Sequence, residues 1–400
     1  MATERGVAPL ESNADATRRP GNSGRIGAMR RTCFWLLLLL LLTWPSSALA
    51  TWSVIAVDRS TNRVVIASAT CVDRDDQFLM GVQAVVVPGK GVDVAGGPIP
   101  RKPGYYGQPV VKPPVWTWQV PLYFFFGGMA GMSAVIATGA VLFHPVDPSL
   151  ATNVGVARTA MWVAAVAGAV LSPILLILDL GRPHLFLNML RVFKHRSAMS
   201  MGAWILSAFG ACAVPGLIAL ELHARQIFPG ALDQLLRVAA GLLIFGSAIF
   251  GTLLATYTGV LIGATAIPAW FLHRTLLPIH FGTAGLGSAA AVLELLGYRI
   301  PALNFLGFYA AGIETVLLIW LSVDKHGAAD RAIHEHSSGW LIRIGEVLNG
   351  PLALILRFFG LVPFAAISFL LGALVSRIGW IAVGKVSGSD PESVFAAERY

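Results

Sequence analysis

Leu178-Asp179-Leu180-Gly181-Arg182-Pro183-His184, running on through Asn188-Met189-Leu190-Arg191 to Lys194-His195-Arg196, joins a long apolar run to a loop with four Lys/Arg in fifteen residues. Within it a carboxylate and a guanidinium stand three residues apart, on one face of a helical turn. At the margin of an apolar segment, such groups either pair at a membrane boundary or face an interior that uses charge. The basic loop behind them also sets which way the chain threads a bilayer.

Composition agrees with a membrane reading. Apolar residues make up 56% and charged residues 12% of the 400 positions, where a soluble domain carries roughly a quarter charged. Several weakly charged apolar segments are eighteen residues or longer, which predicts an all-α, polytopic helical bundle. The net charge of +8 then belongs mostly to loop Lys/Arg facing anionic lipid and the cytoplasm. A basic face with stacking aromatics outside the membrane, as nucleic-acid binding needs, is not found. The three cysteines, Cys33, Cys71 and Cys212, form no C-x-x-C pair. They cannot hold an iron–sulfur cluster or a four-thiolate zinc site, so any redox centre is expected on a partner.

From the N-terminus, residues 1–28 read as disordered. Met29-Arg30-Arg31, the leucine-rich run to Leu42 and Ala48-Leu49-Ala50 make 29–50 signal-peptide-like. Two β-branched runs, Thr51 to Asp58 and Val64 to Ala69, flank a polar turn at Ser60-Thr61-Asn62-Arg63 and predict a small hairpin. Residues 97–117 form a Pro-rich linker ending in Trp116-Thr117-Trp118, an interfacial aromatic anchor.

Spans are expected at about 119–143, 158–180, 199–221, 235–262, 276–297, 303–323 and 363–384. Arg343, Glu346, Asn349 and Arg357 interrupt 340–361, which reads first as an interfacial amphipathic helix and second as an eighth span. The transmembrane domain is placed at 118–386, with 387–400 as a tail. With 97–117 in the cytoplasm, inside segments collect Arg101, Lys102, Lys112, Arg182, Arg191, Lys194, Arg196, Arg274, Lys325, Arg331 and Arg343. Outside loops hold little more than Arg158, Arg225, Arg237 and Arg299. A cleaved signal peptide would invert every span, so residues 1 to about 95 are expected to be foreign to the membrane module.

Pro113-Pro114-Val115-Trp116-Thr117-Trp118, Pro121 to Gly128, Leu178-Asp179-Leu180-Gly181-Arg182-Pro183, Ser200-Met201-Gly202-Ala203-Trp204 and Tyr257-Thr258-Gly259-Val260-Leu261 together resemble the NrfD/PsrC-type membrane subunit of polysulfide, nitrite and related reductases. The likeness covers roughly 100–385. It implies a quinone- or menaquinone-binding subunit in the inner cell membrane, without its own haem or iron–sulfur cluster. Its implied partners are a ferredoxin-like 4Fe-4S subunit and a catalytic subunit, often a molybdopterin enzyme. Separately, 51–96 resembles the start of a secreted Ntn-hydrolase-like family, with Thr51 at the nucleophile position of a truncated fragment.

The resemblance maps a quinone-binding tyrosine of the fourth span onto Tyr257. Family members with a bound quinone use His and Asn ahead of the first span; this chain departs from that, offering Tyr105, Tyr106, Gln108 and Trp116. Trp116, Asp179, Arg182 and His280 complete the expected quinone-binding set, with an ion pair capping the second span as the other reading of Asp179 and Arg182. Glu314 and Glu294 stand in apolar spans, where an unpaired carboxylate costs about 2.5 kcal/mol or more. With Arg377 they are the expected proton path, the alternative being a structural Glu–Arg pair. No catalytic residue and no metal site is assigned, and His334-Glu335-His336 reads as a solvated loop. Of the nine histidines only His280 lies in a clear span, which leaves a bis-histidine haem unsupported. The expected function is quinone-linked electron transfer within a larger oxidoreductase. The rival readings are a transporter or channel using the buried carboxylates and, more weakly, a hydrolase-like fragment.

Overall fold

The computed structural model describes residues 110–142, 150–180 and 183–397, with strands at 52–58, 63–69, 84–87 and 91–94. The segments 1–28 and 29–50, Thr51, most of the Pro-rich linker and Arg182 lie outside the described residues. Strand β1 (Trp52–Asp58) pairs antiparallel with β2 (Arg63–Ala69), joining Val57 to Val64, and this is the expected hairpin. Strands β3 (Ala84–Val87) and β4 (Gly91–Val94) form a second antiparallel pair.

Among the described residues, eight helices are long and apolar enough to cross a membrane. They are α1 (Gln119–Leu142), α2 (Asn153–Asp179), α3 (Ala198–Ala224), α4 (Ala231–Gly263), α5 (Leu276–Leu295), α6 (Pro301–Val323), α7 (Ser337–Phe358) and α8 (Val362–Ser389). Proline stands in the first turn of α6 and α8, where its missing N–H costs nothing. The Ser197 hydroxyl caps α3 by accepting from the Ser200 amide. The chain is a multi-pass helical membrane protein.

The segment expected at 340–361 as an interfacial helix is instead α7, packed along α8. Three of the four polar residues behind that expectation do not face water: Glu346, Asn349 and Arg357 are buried, and only Arg343 is partly exposed. An amphipathic helix lying on the membrane would expose them; a spanning helix in a bundle turns them inward. Within α7 a π-helical segment, Leu348–Leu352, kinks at Gly350 beside Pro351. The Ser368 hydroxyl donates to the Leu348 carbonyl at 2.7 Å, re-satisfying backbone that the kink disturbs. Helix α8 also runs past the expected boundary at 386, and Pro391–Ala397 adds a further helical turn.

Helices α1 to α4 pack together, as do α5 to α8, and α1, α4, α5 and α8 touch across the junction. At the crossing of α1 and α4, a Cβ on Gly131 would lie 2.1 Å from the Gly251 carbonyl oxygen. Only glycine permits that approach, the small-residue packing that brings membrane helices close together.

Because successive spans reverse direction, helix ends sort into two faces. One face carries 110–118, Leu180, 183–197, 264–275, 324–336 and 390–397, and contacts knit it together. Trp116 stacks on Trp270, with centroids 5.6 Å apart and planes at 18°. Arg331 donates to Glu392 at 2.8 Å, and Ser393 donates to the Ala328 carbonyl. On the opposite face, Arg158 forks onto Glu221 at 3.0 and 2.7 Å. There Trp162 also donates to Glu221, and Tyr298 bonds Thr159 at 2.8 Å.

Candidate functional site

His280 sits one turn into α5, and 1% of its surface is exposed. Its Nδ1 lies 2.7 Å from Glu314 Oε2 on α6. Its Nε2 lies 2.8 Å from Ser376 Oγ on α8 and 3.2 Å from Glu346 Oε1 on α7. Ser376 donates in turn to Glu346 Oε1 at 2.9 Å. The Thr283 hydroxyl, one turn beyond His280, donates to Glu314 Oε1. Helices α6, α7 and α8 thus place one polar side chain each against a single imidazole supplied by α5.

Arg377, one residue after Ser376 and fully buried, stands beside this group. Its guanidinium is held by carbonyls, donating to Ala373 at 2.8 Å and Phe281 at 3.2 Å, and it lies over the Phe281 ring at 5.1 Å. From there its charge acts on Glu314 and Glu346. The combination is one cation, two carboxylates and one imidazole in a dry interior. Its charges balance when one proton is shared among His280, Glu314 and Glu346, since Arg377 offsets one carboxylate and that proton the other.

The structure separates residues that the sequence grouped. Glu294 does not meet Arg377. Its two oxygens accept a fork from Arg357 on α7, both at 2.7 Å, and Asn304 also accepts from Arg357 at 3.0 Å. This closed pair lies toward the opposite face from the linker. Asn349, fully buried, stands between Glu346 and Arg357 along α7, and neither of its amide atoms has a protein partner.

The expected quinone residues divide likewise. Tyr257 is buried, and its hydroxyl donates to the Ala198 carbonyl of α3. Its ring lies against Gly202, where a Cβ would fall 2.2 Å away. It turns toward α3, whereas His280 turns toward α6, α7 and α8. Trp116 packs edge-on to Phe124 besides stacking on Trp270. Asp179 accepts from the Thr117 hydroxyl at 3.0 Å, tying the end of α2 to the start of α1; its expected partner Arg182 lies outside the described residues. Trp116, Asp179 and Tyr257 therefore belong to the first half of the bundle and His280 to the second.

Sequence reasoning missed Glu346 and Ser376. A signal for Glu346 was present: Glu346, Asn349 and Arg357 fall on one narrow stripe of a helix, the pattern of an inward polar face in an apolar segment.

The model of one family, Polysulphide reductase, NrfD, matches residues 108–304. Over residues 108–304 the membrane domain is of the NrfD type. It is thereby a membrane subunit of a reductase of the polysulfide and nitrite type, and its resemblance to such subunits is borne out. No curated protein matches the chain. The matched region contains α1 to α5 with Trp116, Asp179, Tyr257, His280 and Glu294, while Glu314, Glu346, Arg357 and Arg377 lie beyond it.

Proposed function

We propose that this chain binds quinone or quinol in the inner cell membrane and exchanges its electrons with an iron–sulfur partner subunit, itself joined to a catalytic subunit, while α5 to α8 carry the protons. The observation that supports this most is the group His280, Glu314, Glu346, Ser376 and Arg377. Quinol oxidation releases two protons with two electrons, so an electron-transfer subunit of this kind needs a buried proton acceptor with a way out. His280 bridges two carboxylates through opposite ring nitrogens, and a proton gained on one side can leave on the other. Along α7, Asn349 continues the line toward the Arg357–Glu294 pair and the far face.

On the linker face, Trp116, Asp179 and Tyr257 supply an aromatic wall and hydrogen-bonding groups for the quinone head, close to where a partner subunit would dock. The partner carries the iron–sulfur chemistry; this chain's residues bind, orient and deprotonate.

One observation favours the rival transport reading. A polar, kinked helix buried mid-bundle is also how transporters build a substrate path. A titration separates the two. Tryptophan fluorescence of the purified chain, alone and with its iron–sulfur partner, should quench saturably with a menaquinone analogue. No saturable binding under either condition would defeat the quinone reading and leave transport.

A further inference from the structure

The linker face carries a second cluster of ionisable side chains that the quinone reading does not use. His273 follows the one-turn helix Pro268–Leu272 between α4 and α5, and Asp324 caps the C-terminus of α6. His326 precedes the turn Gly327–Asp330, where Gly327 takes φ +62°. One nitrogen or oxygen from each of His273, Asp324 and His326 lies within 4.8 Å of the other two. Ligands of a tetrahedral zinc ion sit about 3.4 Å apart, as bonds of about 2.0–2.1 Å require. Small side-chain rotations therefore bring these atoms onto one ion.

Each of the three is also held from behind. His273 Nδ1 lies 2.9 Å from the Ala269 carbonyl and 3.7 Å from Asp330 Oδ1 and so carries its proton there, which leaves Nε2, buried and without a hydrogen-bond partner, as the nitrogen able to ligate. His326 Nδ1 lies 3.2 Å from Asp330 Oδ2, while its Nε2 is 3.9 Å from Asp324 Oδ1. The remaining oxygen of Asp324 accepts from Trp320 Nε1 at 3.0 Å. A backbone carbonyl, a fully buried aspartate and an indole thus fix the tautomer or orientation of all three. Metal-ligating histidines and carboxylates show this arrangement, whereas solvated loop residues do not need it.

We infer that His273, Asp324 and His326 form a binding site for a zinc-type divalent ion, with a fourth position open to water. Two imidazoles and one carboxylate suit zinc among the common divalent ions, and magnesium or calcium poorly. The ion would clamp the α4–α5 connection to the α6–α7 connection. His334, Glu335 and His336 are not among the ligands.

The test uses the full-length chain without a histidine tag, in detergent, dialysed against Zn²⁺ and then desalted. Metal analysis should return about one zinc per wild-type chain, and Co²⁺ in its place should give the intense visible bands of a four-coordinate site. Asp324→Asn and His326→Gln, both at partly exposed positions, should each weaken zinc binding at least ~10-fold and bleach the cobalt bands. Trp320→Phe should weaken it ~10- to 100-fold through the lost support. Glu346→Gln, in the other buried His–carboxylate group, should leave it unchanged. Absence of zinc from the wild type, or full retention in the Asp324→Asn/His326→Gln double variant, would overturn the site.

Discussion

Glu314 touches an imidazole on one oxygen and a threonine hydroxyl on the other, within a bundle that excludes water. Glutamine there keeps the shape and removes the exchangeable proton. Glu314→Gln should cut quinol turnover and proton release together, by at least ~10²-fold, with quinone affinity little changed. Turnover at the wild-type rate would remove Glu314 from the mechanism. Glu314 and Arg377 could be picked out in the sequence because each is a lone charge in an otherwise apolar span. Glu346 could not be singled out by that rule, because Arg343, Asn349 and Arg357 nearby made its whole segment look polar. Nor could Ser376, since serines in apolar helices commonly do no more than bond their own backbone, as Ser288 does. What joined them was tertiary: four helices meeting at one imidazole.

At the scale of helices, α7 owes its place to what it carries inward. Its C-terminal end is anchored by Arg357, whose fork to Glu294 ties it to α5 and whose bond to Asn304 ties it to α6. Deleting one member of a buried pair strands the other charge. Arg357→Ala should therefore cost about 3–5 kcal/mol, and the paired change Glu294→Leu/Arg357→Leu markedly less. Denaturation in detergent micelles would measure both; equal losses would mean that packing, rather than charge, holds this corner. Seven spans were readable from continuous apolar runs, with ends within a few residues of those observed. The eighth was ambiguous because length and mean hydropathy do not say which way polar residues face. Once several helices pack around a polar interior, a helix turned inside out satisfies every group.

For the whole molecule, eight crossings return the chain to the face from which it entered α1. Positions 195, 335 and 392 then share one side, and position 226 lies on the other. In a variant with Cys33, Cys71 and Cys212 replaced by serine, an impermeant thiol reagent should label cysteines introduced at His195, Glu335 and Glu392 only from the cytoplasmic face. One introduced at Gln226 should react only from outside. If Glu392→Cys and Glu335→Cys labelled from opposite sides, α7 would not cross. The charge bias named the inner face because basic loops are hard to translocate. The sequence offered no comparable handle on residues 1 to 95, where a signal-like segment opposes that bias.

The stacked indoles of Trp116 and Trp270 have an optical consequence. Two chromophores with centroids 5.6 Å apart couple their excited states, so their strong far-ultraviolet indole bands add a signed couplet to the circular dichroism that neither ring gives alone. One ring stands ahead of the first membrane crossing and the other between the fourth and fifth. The couplet therefore reports, without any label, whether the entry segment is seated on the bundle, and it would collapse whenever a docking subunit or a bound quinone pried that segment away.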